Sequence, residues 1–273
     1  MSLDAIVDIV EGCTRVQLAG ERNDGIGFPT GVSLNSCAAH HTTNPGDPEV
    51  LLKEDDVLKI DFGTHVNGWI MDSAFTVCFD PKYEQLLRAS RDATEAGIRC
   101  LGVDVRVCDI GAEIEEVILE NLNGHSIDQY KIHAGITIPT VRNRDKTRIR
   151  AGCFYAVETF ATTGRGYVEN GRGCSHYILN RGVKKPVDGA RTRKVLNTIV
   201  KCMGTLPFCP RYIDRLVPDS TGSRPCMEIL ARMGLLDPYP PLVDSRGSLV
   251  SQFEHTVFLS DTGKEVLTRG TDY

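Results

Sequence analysis

The stretch from Lys59 to Val77 constrains this chain more than any other. Two β-rich runs flank Asn67-Gly68, the dipeptide best suited to a two-residue turn in which both positions take φ > 0. The stretch reads as a hairpin in which facing residues have numbers adding to 135, so Asp72 lies opposite Gly63. Side chains alternate with period two. Asp61 and Asp72 therefore project from one face as diagonal neighbours, roughly 7–8 Å apart at the backbone, and Gly63 is expected to leave empty space between them. Two carboxylates at this range repel, and a shared proton or cation relieves the repulsion. Two solvated acids on an exposed strand are the alternative. The apolar flanks, Val57, Leu58, Ile60 and Phe62 on one side and Ile70, Met71, Ala74, Phe75 and Val77 on the other, argue against exposure.

The rest of the chain must then be able to bury such a face. With 273 residues, 41% of them hydrophobic and 25% charged, it has the composition of a globular protein with a real core. The net charge of −5 disfavours general binding to nucleic acid or anionic membranes, and the basic run from Arg142 to Arg150 reads as a solvated loop. Ten cysteines are scattered with no Cys-x-x-Cys pair, which indicates buried thiols in a reducing compartment rather than a zinc knuckle or disulfide framework. No apolar run is long enough to span a bilayer, and acids near the start do not suit a secretory signal, so a cytoplasmic protein is expected.

Helical spacing is expected from Leu3 to Leu18, with Ile6, Ile9 and Val10 as the apolar side. The segment from Phe28 to His41 reads as turn then strand, followed by a loop at Asn44-Pro45-Gly46-Asp47-Pro48. Asp80-Pro81 starts a helix with Tyr83, Leu86, Leu87, Ser90, Ala93 and Gly97 on one face, and Ile110, Ile114, Val117 and Ile118 mark a second. Short β-like runs follow at Tyr130 to Ile138 and Cys153 to Phe160. From Ser175 the texture changes: Val195, Leu196, Ile199, Val200 and Met203 mark a helix, Ser223 with Pro225 opens another that Gly234 ends, and Asp237-Pro238-Tyr239-Pro240-Pro241 reads as a turn before a final strand, Leu249 to Leu259. A small helical insertion thus interrupts a mixed α/β body.

Each remaining β-like segment offers one further metal ligand: His125, Glu158 and Glu254. By alternation Glu158 shares a face with Phe154, Ala156 and Phe160, where an unpaired carboxylate would cost several kcal/mol. One histidine and four carboxylates make a hard, oxygen-rich set able to hold two divalent ions with a water between them. Spacing alone does not show that these residues meet.

Together these segments resemble the type 2 methionine aminopeptidases of the pita-bread fold. The resemblance runs through Phe28-Pro29-Thr30-Gly31, Cys37-Ala38-Ala39-His40, Lys59-Ile60-Asp61-Phe62-Gly63, Asn123-Gly124-His125-Ser126, Ile132-His133-Ala134-Gly135, Ala156-Val157-Glu158-Thr159-Phe160, Cys174-Ser175-His176-Tyr177, Asp237-Pro238-Tyr239-Pro240-Pro241 and Gln252-Phe253-Glu254-His255-Thr256, nearly the whole chain. It implies an α+β pita-bread (creatinase/aminopeptidase) fold over residues 1–273, with the type 2 helical insertion at about 175–242. It also implies a metallohydrolase that removes the initiator methionine from nascent chains with a small second residue.

Carried over by position, the resemblance implies Asp61 on one metal, Asp72 and Glu254 bridging, and His125 and Glu158 on the other, with Co²⁺, Mn²⁺, Fe²⁺ or Zn²⁺ as candidates. Glu158 would also take a proton from the attacking water and return it to the leaving amine. His133 would contact the scissile peptide and the developing oxyanion, and His40 would stand near the substrate amide. Taken alone, each histidine reads as structural. The implied methionine pocket is Phe28, His40, Ile132, His133, Phe160, His176, Pro207, Tyr239 and Leu242, apolar and aromatic surfaces suited to a thioether.

Family members carry a longer segment before the Phe28 motif, so a sheet incompletely covered by helices is an expectation here. Nascent N-termini are the implied partners, the ribosome is a candidate one, and neither membrane nor specific nucleic acid is expected of a monomer. Two other readings stay open. A proline-directed aminopeptidase of the same fold would keep the ligands and change the pocket, and a non-catalytic relative acting in translation would have no need of them.

Overall fold

The computed structural model describes residues 1–18, 24–115, 119–218 and 221–271. It opens with helix α1, Leu3–Gln17, whose N-terminus is capped by the Ser2 hydroxyl accepting from the Ala5 amide. The buried side of α1 is Leu3, Ile6, Val7 and Glu11, whereas Ile9 is 54% exposed. The i, i+3, i+4 set therefore starts three residues earlier than the expected face.

Strands β1 (Gly25–Leu34) and β2 (Cys37–Ala39) are separated by a turn at Asn35 and Ser36, so the Phe28 motif is strand from its start rather than turn then strand. The predicted hairpin is present as β3 (Val57–Val66) and β4 (Trp69–Cys78). Gly63 faces Asp72, Val66 faces Trp69, and Asn67 and Gly68 both take positive φ, 50° and 83°. A Cβ at Gly68 would lie 2.4 Å from the Tyr130 ring, so the turn also needs glycine to let that ring close over it.

Asp80 caps a 3₁₀ turn at Pro81–Tyr83 that leads into α2, Glu84–Cys100, and α3 follows at Val107–Ile114. Val117 and Ile118, expected to continue α3, lie outside the described residues. His125 sits on β5, Gly124–Ile127, in keeping with the β-like segment expected around it. Of the β-like run from Tyr130 to Ile138 only β6, Thr137–Ile138, is a named strand. Next come β7 (Cys153–Thr162), β8 (Glu169–Asn170) and β9 (His176–Leu179). Helix α4 (Ala190–Thr198) runs into a π turn at Ile199–Met203, where Val200 points outward at 51% exposure. After α5 (Pro210–Leu216) and α6 (Arg224–Arg232), the expected proline-rich turn is instead strand β10, Leu236–Tyr239, paired with β9 alone. Pro238 is tolerated there because an edge strand does not need every N–H. The chain finishes with β11 (Leu242–Val243), β12 (Val250–Leu259) and β13 (Lys264–Val266), so β12 is not the last strand.

The main sheet is antiparallel in the order β1-β3-β4-β12-β7-β5-β6, with β13 on the free end of β12. Helix α2 packs on β7 and β12, and α3 packs on α2 and β6, so that Ile98, Ile110 and Ile114 share one buried apolar cluster with Tyr155, Val157 and Val257. Leu3, Ile6 and Val7 of α1 cover Val32, Leu58 and Ile60 at the other end of the sheet. The opposite face carries the site. Residues from Tyr177 to Leu236 build a separate apolar cluster around Phe208, Met227 and Leu230.

Candidate active site

Strand register assembles the acidic residues. Asp61 faces Ala74 across β3 and β4, Ala74 faces Glu254 across β4 and β12, and Glu254 faces Glu158 across β12 and β7. Facing residues share a sheet face, so these four form one row, with the small Ala74 side chain leaving the space above it open. Asp72 is two residues along β4 from Ala74, and His125 faces Ala156, two residues along β7 from Glu158. All five proposed ligands therefore point from the same face.

The side chains converge. His125 Nε2 is 3.7 Å from Asp72 Oδ2 and 3.8 Å from Glu158 Oε1. One ligand atom each of Asp72, His125 and Glu254 lies within 4.8 Å of the others, all three residues being buried. Asp61 and Glu158 flank this trio. Burial raises the Asp61 carboxyl to about 6. Burial, and then repulsion from neighbouring carboxylates, pushes Asp72, Glu158 and Glu254 well above the carboxylate range, and burial drives His125 down to about 3. Asp61 Oδ1, Asp72 Oδ1, His125 Nδ1 and Glu254 Oε1 are buried with no hydrogen-bond partner. Crowded, desolvated oxygens without donors are the arrangement that a divalent cation satisfies, so the residues present fit the metals the sequence implied.

Sequence reasoning missed Gln252. It is fully buried, and its Nε2 donates to Asp61 Oδ2 at 3.2 Å and approaches Glu254 Oε2 at 3.5 Å. A buried amide two residues before Glu254, hence on the same face, was the available signal.

Beside the acids lies a cavity of about 270 Å³. Phe28, His40, Ile132, His133, Phe160, His176, Pro207 and Tyr239 all line it, as the resemblance implied, together with Asp61, Asp72, His125, Glu158 and Glu254. Leu242 does not. It pairs with Ala39 and Asn170 and packs in the cluster with Phe160, one layer behind the wall. The wall further includes Pro29, Ile178 and Asn121 to Asn123, which sequence reading passed over as turn or core. Gly63 does not leave the expected empty space: a Cβ there would fall 2.2 Å from the Phe28 ring, which occupies that volume.

The histidines form a chain of rings along the cavity. His125 and His133 meet edge to face at 4.4 Å, and His133 stacks on Tyr239 at 6.3 Å. Tyr239 meets His40 edge to face at 5.7 Å, and His40 lies 6.1 Å from His176. His40 has φ 63°, a left-handed backbone that costs a residue with a Cβ roughly 1–3 kcal/mol. Burial lowers His40 to about 4 and His176 to about 3, so both rings are neutral at pH 7.

A profile of metallopeptidase family M24 matches residues 1–192. Methionine aminopeptidase 2 of Encephalitozoon intestinalis is 53% identical over 289 aligned positions, spanning 100% of this chain and 81% of the relative. Methionine aminopeptidase 2A of Arabidopsis thaliana is 48% identical over 266 positions, covering 91% of this chain and 60% of the relative. Among solved structures, a thermophilic Arx1 superposes with a TM-score of 0.82 at 17% identity, covering 97% of this chain and 83% of that one. A methionine aminopeptidase from Rickettsia prowazekii gives 0.61 at 18%, covering 98% and 86%. At these identities the structures establish the fold, which is the pita-bread fold. With the family profile and the curated relatives spanning it, the chain belongs to metallopeptidase family M24 and, within it, to the methionine aminopeptidase 2 group.

Proposed function

We propose that this chain removes the N-terminal methionine from newly made polypeptides whose second residue is small, using two divalent ions held by Asp61, Asp72, His125, Glu158 and Glu254. The observation that carries the reading is the convergence of unpartnered buried ligand atoms on a cavity walled by aromatic and aliphatic side chains. When bound, the ions would acidify a water and polarise the scissile carbonyl.

The chain's own residues supply the rest. Glu158, itself one of the ligands, would accept the proton of the attacking water and return it to the leaving amine, the general acid–base work a carboxylate can do. The stacked His133 ring can donate a hydrogen bond to the substrate carbonyl as negative charge develops there. His40, fixed by its left-handed backbone, faces the same space and can hold the substrate amide. Phe28, Ile132, Phe160, Pro207 and Tyr239 offer a dry, unbranched slot for a thioether. The segment 175–242 acts in this reading as the type 2 insertion, supplying His176, Pro207 and Tyr239 to the pocket. We place the reaction in the cytoplasm on nascent N-termini, with the ribosome as the neighbouring assembly.

A peptide panel tests the assignment. Met-Ala-Ser should release methionine, while Leu-Ala-Ser and Met-Leu-Ser should be poor substrates. Preferential cleavage ahead of a proline in peptides lacking methionine would overturn it in favour of a proline-directed enzyme.

A further inference from the structure

The pocket histidines His40 and His176 belong to different parts of the chain, and one hydroxyl joins them. Ser175 Oγ accepts the Thr42 amide at 3.2 Å, and its one proton is within donating distance of two acceptors, the His40 carbonyl oxygen at 3.1 Å and His176 Nδ1 at 3.0 Å. His176 Nε2, in turn, lies 3.3 Å from the carbonyl oxygen of Pro29. Ser175 and His176 are both buried, so no water substitutes for these partners.

Proton counting assigns the ring. A neutral imidazole carries one N–H, and the Pro29 carbonyl can only accept. The proton therefore sits on Nε2 and donates to Pro29. Nδ1 is then an acceptor, and the Ser175 proton is shared between it and the His40 carbonyl oxygen. The opposite tautomer would set the bare Nε2 lone pair against a carbonyl oxygen inside a buried site, leaving both acceptors without a donor. With both nitrogens engaged by protein, His176 presents carbon edges and ring face to the cavity and contributes shape instead of a proton. The same oxygen holds the Thr42 amide and borders the His40 carbonyl, bracketing the left-handed residue on its C-terminal side.

We propose that Ser175 is a positioning residue for methionine recognition: its hydroxyl ties the His176 ring, whose tautomer the Pro29 carbonyl sets, to the His40 turn. The inference rests on the reading of the site given above only for its kinetic consequence. The tautomer is independent of activity.

The experiment begins with the unsubstituted protein. Two-bond ¹H–¹⁵N correlation spectra, assigned with a His176→Asn variant, should show His176 protonated at Nε2. Protonation at Nδ1 would overturn the proposal before any serine variant is made. Ser175→Ala should keep this tautomer, because the Pro29 carbonyl remains, yet lower kcat/KM for Met-Ala-Ser on the order of 10-fold to 100-fold, more through KM than kcat, and Ser175→Thr should restore it. Ser175→Thr keeps the hydroxyl and should keep the Nε2–H signature. Ser175→Ala that stays folded with unchanged kcat/KM, or a loss that Ser175→Thr does not restore, would refute the assigned role. A wild-type protein that shows the Nε2–H form yet releases no methionine would overturn the functional reading while leaving the His176 tautomer standing.

Discussion

Replacing Asp61 with asparagine should stabilise the metal-free protein and destabilise the metal-loaded one. Burial raises the folded-state pKa of Asp61 to about 6, above its ordinary 3.8. Below about pH 4 the carboxyl is protonated in both the folded and unfolded chain, and it carries no penalty. Between about 4 and 6 the unfolded chain gives up its proton first, so stability falls as pH rises, and above 6 the penalty is complete. At roughly 1.4 kcal/mol for each tenfold change in the equilibrium, the full penalty is about 3 kcal/mol. An asparagine side chain at this position cannot ionise, and its carbonyl oxygen can still accept from Gln252 Nε2. In chelator, Asp61→Asn should therefore exceed wild type by about 1–3 kcal/mol at pH 7.5, which for a chain of this size is on the order of 2–10 °C in Tm. At pH 4 the difference should vanish. Adding Mn²⁺ at about a thousand times its Kd would stabilise wild type by about 4 kcal/mol and the variant by less, reversing the order. Urea or thermal unfolding followed by circular dichroism at both pH values, with and without metal, measures all four states. A chelated variant less stable than wild type at pH 7.5, or an advantage that persists unchanged at pH 4, would refute the reasoning.

Glu158→Gln should cut turnover by about 10²–10⁴-fold while circular dichroism reports an intact fold; methionine release at near wild-type rates would remove Glu158 from its role. Gly63→Ala should displace the Phe28 ring, which a Cβ would meet at 2.2 Å, costing about 1–3 kcal/mol of stability and raising KM for Met-Ala-Ser more than it lowers kcat. Glu11→Ala should cost about 3–5 kcal/mol in urea unfolding, because it strands the buried Arg211 guanidinium. Burial alone would raise the Glu11 carboxyl, but attraction to Arg211 and hydrogen bonds from Arg211, Tyr212 and Arg15 hold it below its ordinary 4.5. Its contribution is therefore present above about pH 4.5 and should be lost as pH falls through the lowered value, so wild type and Glu11→Ala should converge in acid.

What was legible in the sequence followed from local chemistry with a single outcome. Asn67-Gly68 admits one kind of turn, and once the turn is set, alternation alone puts Asp61, Gly63 and Asp72 on one face, where the strand register has them. Pro81 after Asp80 likewise marks a helix start at its observed place. Local pattern misled where tertiary pairing decides. Gly124–Ile127, the β-like segment that carries His125, is four residues long and buried throughout, so no alternation marks its bounds, and pairing with Ala156 and its neighbours sets them. Pro238 suggested a turn because the sequence does not show that β10 has one partner only. The pocket was legible as chemistry but not as layers: Leu242 and Ile178 are both aliphatic and close to pocket residues in sequence, and only the packing puts Ile178 in the wall and Leu242 behind it. Gln252 and Ser175 were hidden for a different reason. Their importance lies in which atoms they join across the fold, and neither residue type announces that alone.

The central claim is that this face binds divalent ions and uses them to release methionine. The most direct measurement is free methionine liberated from Met-Ala-Ser by the purified chain, first after exhaustive chelation and then as Mn²⁺ or Co²⁺ is titrated back against known protein concentration. No release is expected in chelator, and recovery should saturate by two equivalents of metal. Release that persists in chelator, or a folded protein that binds metal and leaves the peptide whole, would contradict the claim.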